Sequence, residues 1–110
     1  MSEYVILITT TDKKEEAEKL TKECLEKKLA ACAQIFEINS QYWWNGKIEN
    51  AIEYRIEFKT TKTKSRELKK FIKSIHSYQT PEIIKIQIVG GDKNYLKWLK
   101  NSLKWGKNEP

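Results

Sequence analysis

No pair of residues constrains this chain more than Asn45-Gly46. Two β-rich runs flank it, and a two-residue connection of this composition closes as a type I′ turn, whose central positions both take positive φ. The run before it carries Cys32, Ile35, Phe36, Ile38, Tyr42, Trp43 and Trp44. The run after it alternates, with Ile52, Tyr54, Ile56 and Phe58 on one face and Glu53, Arg55, Glu57 and Lys59 on the other. These two runs predict a long antiparallel ribbon, against a usual strand of about five or six residues.

The other elements fall around that ribbon. Tyr4 to Thr9 reads as a strand buried on both faces. Thr10-Thr11-Asp12 offers the N-cap of a first helix, with Glu15 and Glu16 in the first turn where the helix dipole favours negative charge. Ala17, Leu20, Thr21, Cys24, Leu25 and Leu29 share its inner side. Ser65 or a neighbour caps a second helix, with Leu68, Phe71, Ile72 and Ile75 inward. Pro81 forbids its continuation, and Ile84, Ile86 and Ile88 alternate as a fourth strand. Gly90-Gly91-Asp92 leads into a last helix with Tyr95, Trp98, Leu99 and Leu103 inward, and residues 106–110 are expected to fray. The order β-α-β-β-α-β plus a terminal helix predicts an α+β, ferredoxin-like split βαβ fold: a four-stranded antiparallel sheet with two helices on one face. Residues 1–110 read as one such domain, since no linker, repeat or composition break divides them.

Composition narrows the function classes. Of 110 residues, 33% are charged and 39% hydrophobic, which argues against disorder and low-complexity classes. The longest aliphatic run is Val5 to Ile8, whereas a membrane span needs about 20 apolar residues, so no membrane role is expected. Cys24 and Cys32, without a secretory leader, read as reduced thiols of a cytoplasmic protein. The net charge of +6 raises nucleic acid as a partner, and RNA-recognition motifs share this element order. Their stacking aromatics face outward, whereas Tyr54 and Phe58 here share the aliphatic face that must pack under helices. The basic excess comes from nineteen Lys and only two Arg, concentrated after Lys59, and reads as solvated helix faces; no nucleic-acid partner is expected. Tyr42, Trp43 and Trp44 present aromatic surface on both faces of the hairpin tip, an association liability that another copy of the chain would cover.

Leu29-Ala30-Ala31-Cys32-Ala33, then Tyr42-Trp43-Trp44-Asn45-Gly46-Lys47-Ile48-Glu49, resembles the signature of the CutA divalent-cation tolerance family. So do Phe58-Lys59-Thr60-Thr61, His76-Ser77-Tyr78-Gln79-Thr80-Pro81-Glu82-Ile83 and Tyr95-Leu96-Lys97-Trp98, in the same order and covering about Thr9 to Trp98. The resemblance implies a ferredoxin-like fold and a homotrimer in which long hairpins contact neighbouring subunits. It also implies binding of divalent metals, copper above all, with no established reaction. The chain departs from the pattern at Ser77 and Gln79, where the family usually has Pro and Glu.

On that resemblance Cys32, His76 and Glu82 are the candidate metal ligands, a donor set suited to copper or zinc. Their spacing carries no metal motif of its own, so the fold must assemble any site, and the plain packing reading stands beside it: Cys32 as a small hydrophobe, His76 at a helix end. Trp44, Lys59, Tyr78 and Tyr95 match positions that line a cleft between subunits, where a small molecule or a protein partner would bind. Trp98 fits a core position by its helical spacing with Tyr95. A Cys32–His76 nucleophilic pair lacks an orienting third residue and an oxyanion loop, so no enzyme is expected.

Overall fold

The computed structural model describes residues 3–104, and the expected frayed tail at 106–110 lies outside them. Along the chain run β1 (Tyr4–Thr11), α1 (Lys14–Glu26), β2 (Cys32–Trp44), β3 (Lys47–Thr61), α2 (Lys62–Ile75), β4 (Ile83–Ile88) and α3 (Lys93–Ser102). The strands form one antiparallel sheet in the order β2-β3-β1-β4. This is the split βαβ arrangement, with β1 and β3 central.

The turn chemistry holds as its residues require. Asn45 has φ 51° and Gly46 φ 76°, and the β2–β3 register runs unbroken from Trp44 opposite Lys47 to Cys32 opposite Lys59. At the base of this ribbon the alternation of β3 works as expected. Ile56 and Phe58 are fully buried with Leu7, Leu20, Cys24, Leu29, Leu68 and Ile72, and Tyr54 packs partly against them. Towards the tip the helices no longer cover either face. Ile52, expected inward, is 57% exposed, and residues 41–50 are exposed throughout.

Three local expectations need correction. The N-cap of α1 is Lys13, with no side-chain cap. Thr11 instead accepts from the Lys13 N–H at 3.3 Å and donates its hydroxyl proton to Glu16. Leu25 is exposed because Ala17, Leu20 and Cys24 already define the inward stripe, and the next residue turns about 100° away. The cap of α2 is Thr61, whose side chain accepts from the Lys64 N–H, while Ser65 is buried inside the first turn and donates to the Lys62 carbonyl.

α1 ends at a Schellman motif: the Leu29 N–H donates to the Cys24 carbonyl and the Lys28 N–H to the Leu25 carbonyl, each at 3.0 Å. Lys28 carries the positive φ, 60°, that glycine usually supplies. α3 lies on the sheet face opposite α1 and α2, because Lys59, which points away from the Phe58 side, sits beneath Tyr95. Leu99, with Leu103 at the C-cap, makes the buried line of α3, whereas Tyr95 is 40% and Trp98 47% exposed, contrary to their expected inward position. A helix of ten residues has room for one apolar line onto the sheet, and the leucines occupy it.

Extents of 51 × 30 × 21 Å and a radius of gyration of 15.0 Å describe an elongated molecule, against roughly 13 Å for a compact chain of this length. The hairpin is the cause.

Candidate functional site

A cavity of about 750 Å³ runs along the hairpin arm on the face of the sheet opposite α1 and α2, from Thr10 and Glu53 out to Trp44. Ser40, Tyr42 and Trp44 reach it from β2 by strand alternation, Glu53 from β3, and Thr10 from the end of β1. The turn after α2 closes it with Tyr78, Gln79, Thr80, Pro81 and Glu82. Of the site residues singled out in the sequence, Trp44, Tyr78 and Glu82 line this cavity, Trp44 at its outer end.

The turn is held by hydrogen bonds. The Tyr78 N–H donates to His76 Nδ1 at 3.0 Å, so Nε2 carries the ring proton and donates to the Thr10 carbonyl at 2.8 Å. The two rings lie 4.9 Å apart. The Ser77 N–H and hydroxyl each donate to Glu16 at 2.7 Å, tying the turn to α1. Proline at position 77 could not make either bond, so the departure from the family pattern exchanges a rigid φ for a carboxylate anchor. Burial pushes the Glu16 carboxyl up, but the donors from Thr11 and Ser77 and the nearby His76 outweigh it and hold it below its ordinary value.

Glu53 is the residue that the sequence did not single out. Period-two alternation assigns it to a polar strand face, yet it is only 5% exposed and accepts the Tyr78 phenol proton at 2.7 Å. Burial raises the Tyr78 phenol above its ordinary range, and the charges of Glu53 and Asp12 and the nearby Tyr42 add to the effect. Nothing in the alternation Ile52-Glu53-Tyr54-Arg55 marks it, and a partner 25 residues away is invisible to local periodicity.

The remaining site residues cluster at the far end of the same sheet face. Cys32 is half-buried opposite Lys59, whose Nζ stands 5.7 Å from the centre of the Tyr95 ring, and Tyr95 stacks at 5.4 Å on Trp98. Lys59 and Tyr95 thus form a cation–π pair apart from Trp44 and Tyr78. Strand spacing separates Cys32 from Thr10, to which His76 is bonded, by two strands across and four residues along, roughly 16 Å. Metal–ligand bonds are about 2.0–2.3 Å, so Cys32 and His76 of one chain do not fit a common ion. Among the described residues no three His, Cys, Asp or Glu side chains gather as a metal-holding group. Both nitrogens of His76 are also engaged, so coordination there displaces a hydrogen bond. Cys24 is free and buried, and burial first, then the Glu23 charge, push its thiol up to about 12, against a weaker opposing pull from Lys27.

Fold and site together define a ferredoxin-like α+β protein with a projecting hairpin arm and an aromatic-walled acidic cavity along one face of that arm. The family model described as CutA1 divalent ion tolerance protein matches residues 5–102. The divalent-cation tolerance protein CutA of Archaeoglobus fulgidus is 47% identical over 89 residues, covering 81% of this chain and 87% of that protein. A solved structure described as the periplasmic divalent cation tolerance protein CutA from the same organism superposes with a TM-score of 0.89 at 42% identity, covering 92% of this chain and 99% of that one. CutA from Synechococcus elongatus superposes with a TM-score of 0.91 at 33% identity, covering 94% and 93%. The chain belongs to the CutA1 divalent ion tolerance family. Among the described residues no helix is long and apolar enough to cross a membrane.

Proposed function

We propose that this chain acts in divalent-cation tolerance as a homotrimeric binding protein for copper-type divalent or soft metal ions, with Cys32, His76 and Glu82 as its donors. The observation that carries the assembly is the hairpin arm, which exposes Trp43 by 72%, Ile48 and Ile52 on one face and Tyr42 and Trp44 on the other. Two bare apolar faces on one ribbon favour burial against other copies. Since Cys32 stands roughly 16 Å from Thr10, to whose carbonyl His76 is bonded, each ion takes its donors from more than one protomer. Cys32 suits soft ions and is the accessible thiol, whereas the raised Cys24 thiol makes a poor ligand. Two free thiols favour a reducing compartment, hence the cytoplasm. The function is binding rather than catalysis, since the Cys32–His76 pair lacks an orienting third residue and an oxyanion loop.

A second reading has its own observation. The cavity walled by Trp44 and Tyr78 has the size of a small-molecule site, about 300–1,000 Å³, with metal binding then incidental. Calorimetric titration of copper and zinc into wild type, Cys32→Ala and His76→Ala separates the two. Weaker binding in both variants is expected, and equal affinity in all three would discard the named ligands.

A further inference from the structure

We propose that Glu16 of α1 is the positioning residue for the turn that carries His76 and Glu82, fixing the His76 ring by clamping Ser77. The functional weight of that role rests on the reading of His76 as a metal donor.

Three segments meet at this one carboxylate. Oε1 accepts the hydroxyl protons of Thr11, at the end of β1, and of Ser77, while Oε2 accepts the Ser77 N–H. Both Ser77 bonds are 2.7 Å long and span 61 residues of chain, so they join the turn to α1. The residue before, His76, donates from Nε2 to the Thr10 carbonyl. The turn is thus pinned to the end of β1 at successive residues, to Thr10 directly and to Thr11 through Glu16. Bonds to an ionised acceptor are about twice as strong as neutral ones.

The backbone shows what this clamp supplies. His76 has φ −71° and ψ 139°, the region that a following proline imposes on the residue before it. Serine imposes no such restriction, and the two bonds to Glu16 hold the extended geometry in its place. They matter most when the ring is engaged. Coordination at either nitrogen of His76 displaces a hydrogen bond, the one to Thr10 or the one from Tyr78. The Ser77 clamp involves neither nitrogen, so the turn keeps its place through that exchange. Outer partners of this kind orient a donor without touching the ion.

His76 is the one histidine of the chain, so the imidazole nitrogen resonances of isotope-labelled protein report it directly. At about pH 8, where the ring is neutral, metal-free wild type should show a single Nε2–H tautomer and Glu16→Ala a mixture. Copper and zinc, titrated by calorimetry, should bind Glu16→Ala about tenfold more weakly than wild type. Adding Ser77→Pro should restore both, because its ring keeps His76 extended without the carboxylate. If Glu16→Ala does not fold, Glu16→Gln, which keeps one acceptor oxygen, is read the same way. An unmixed tautomer in the Glu16 variant would overturn the proposal, as would a loss that Ser77→Pro does not relieve. Unchanged metal affinity there, with His76→Ala weakened, would overturn it too. Equal affinity in wild type and His76→Ala would instead discard the donor reading, and the nitrogen spectra alone would decide whether Glu16 positions the ring.

Discussion

Thr9 and Glu16 show how much single residues contribute at the packing of the sheet and at the first turn of α1. The Thr9 hydroxyl is buried with no hydrogen-bond partner among the described residues, in a strand flanked by Ile56 and Ile83. Valine has nearly the same shape and no polar atom to desolvate. Thr9→Val should therefore raise unfolding stability by about 1 kcal/mol, read from the denaturant midpoint at unchanged slope. Glu16 behaves oppositely. Its folded pKa lies below its unfolded one, so its contribution is complete above about pH 4.3 and fades as pH falls through the folded value. The stability difference between wild type and Glu16→Gln should accordingly shrink between pH 6 and pH 3, and a constant difference would show that the Ser77 bonds do not depend on the charge. At this scale Glu53 was not legible in the sequence. Its neighbours Arg55 and Glu57 share the expected polar face and pair with each other, but the turn at 76–82 brings the Tyr78 phenol onto Glu53. A strand pattern records which face a residue takes, and not what later covers that face.

Among the elements, those with strong local rules were readable. The Asn45-Gly46 turn, the Ile56–Phe58 alternation and the Leu68–Ile72 stripe all follow from period and turn chemistry, and each appears as expected. The errors fall where two local signals compete. In α3 the aromatic pair Tyr95–Trp98 and the leucine pair Leu99–Leu103 both have helical spacing, and only contact with the sheet chooses between them. At the start of α1 three good capping residues precede a helix that begins after all of them, because Thr11 still pairs with Tyr54 in the sheet. Its C-terminus yields a prediction. Lys28 holds the left-handed conformation that costs a side-chain-bearing residue about 1 kcal/mol. Lys28→Gly should keep the Schellman bonds and raise the thermal midpoint by a few degrees, less whatever contacts the lysine side chain makes. A lower midpoint would mean those contacts outweigh the strain.

For the whole molecule, the elongated outline sets the expectation for mass. Sedimentation equilibrium at micromolar concentration should give three chains, and Trp43→Asp with Ile52→Asp should shift the mass towards one, because both residues lie on the exposed arm. A single-chain mass for the wild type would refute the trimer. The arm also carries a consequence for dynamics. Residues 41–50 form a two-stranded ribbon with no third layer, and such ribbons are marginal on their own in water. Amide hydrogen exchange should grade along the same two strands, slow at Ile56 and Phe58 and fast near the tip in a dissociated chain, then slow throughout once subunits meet. One pair of strands would thus serve as a built-in reporter of assembly, its inner half clocking global unfolding and its outer half clocking the lifetime of the oligomer.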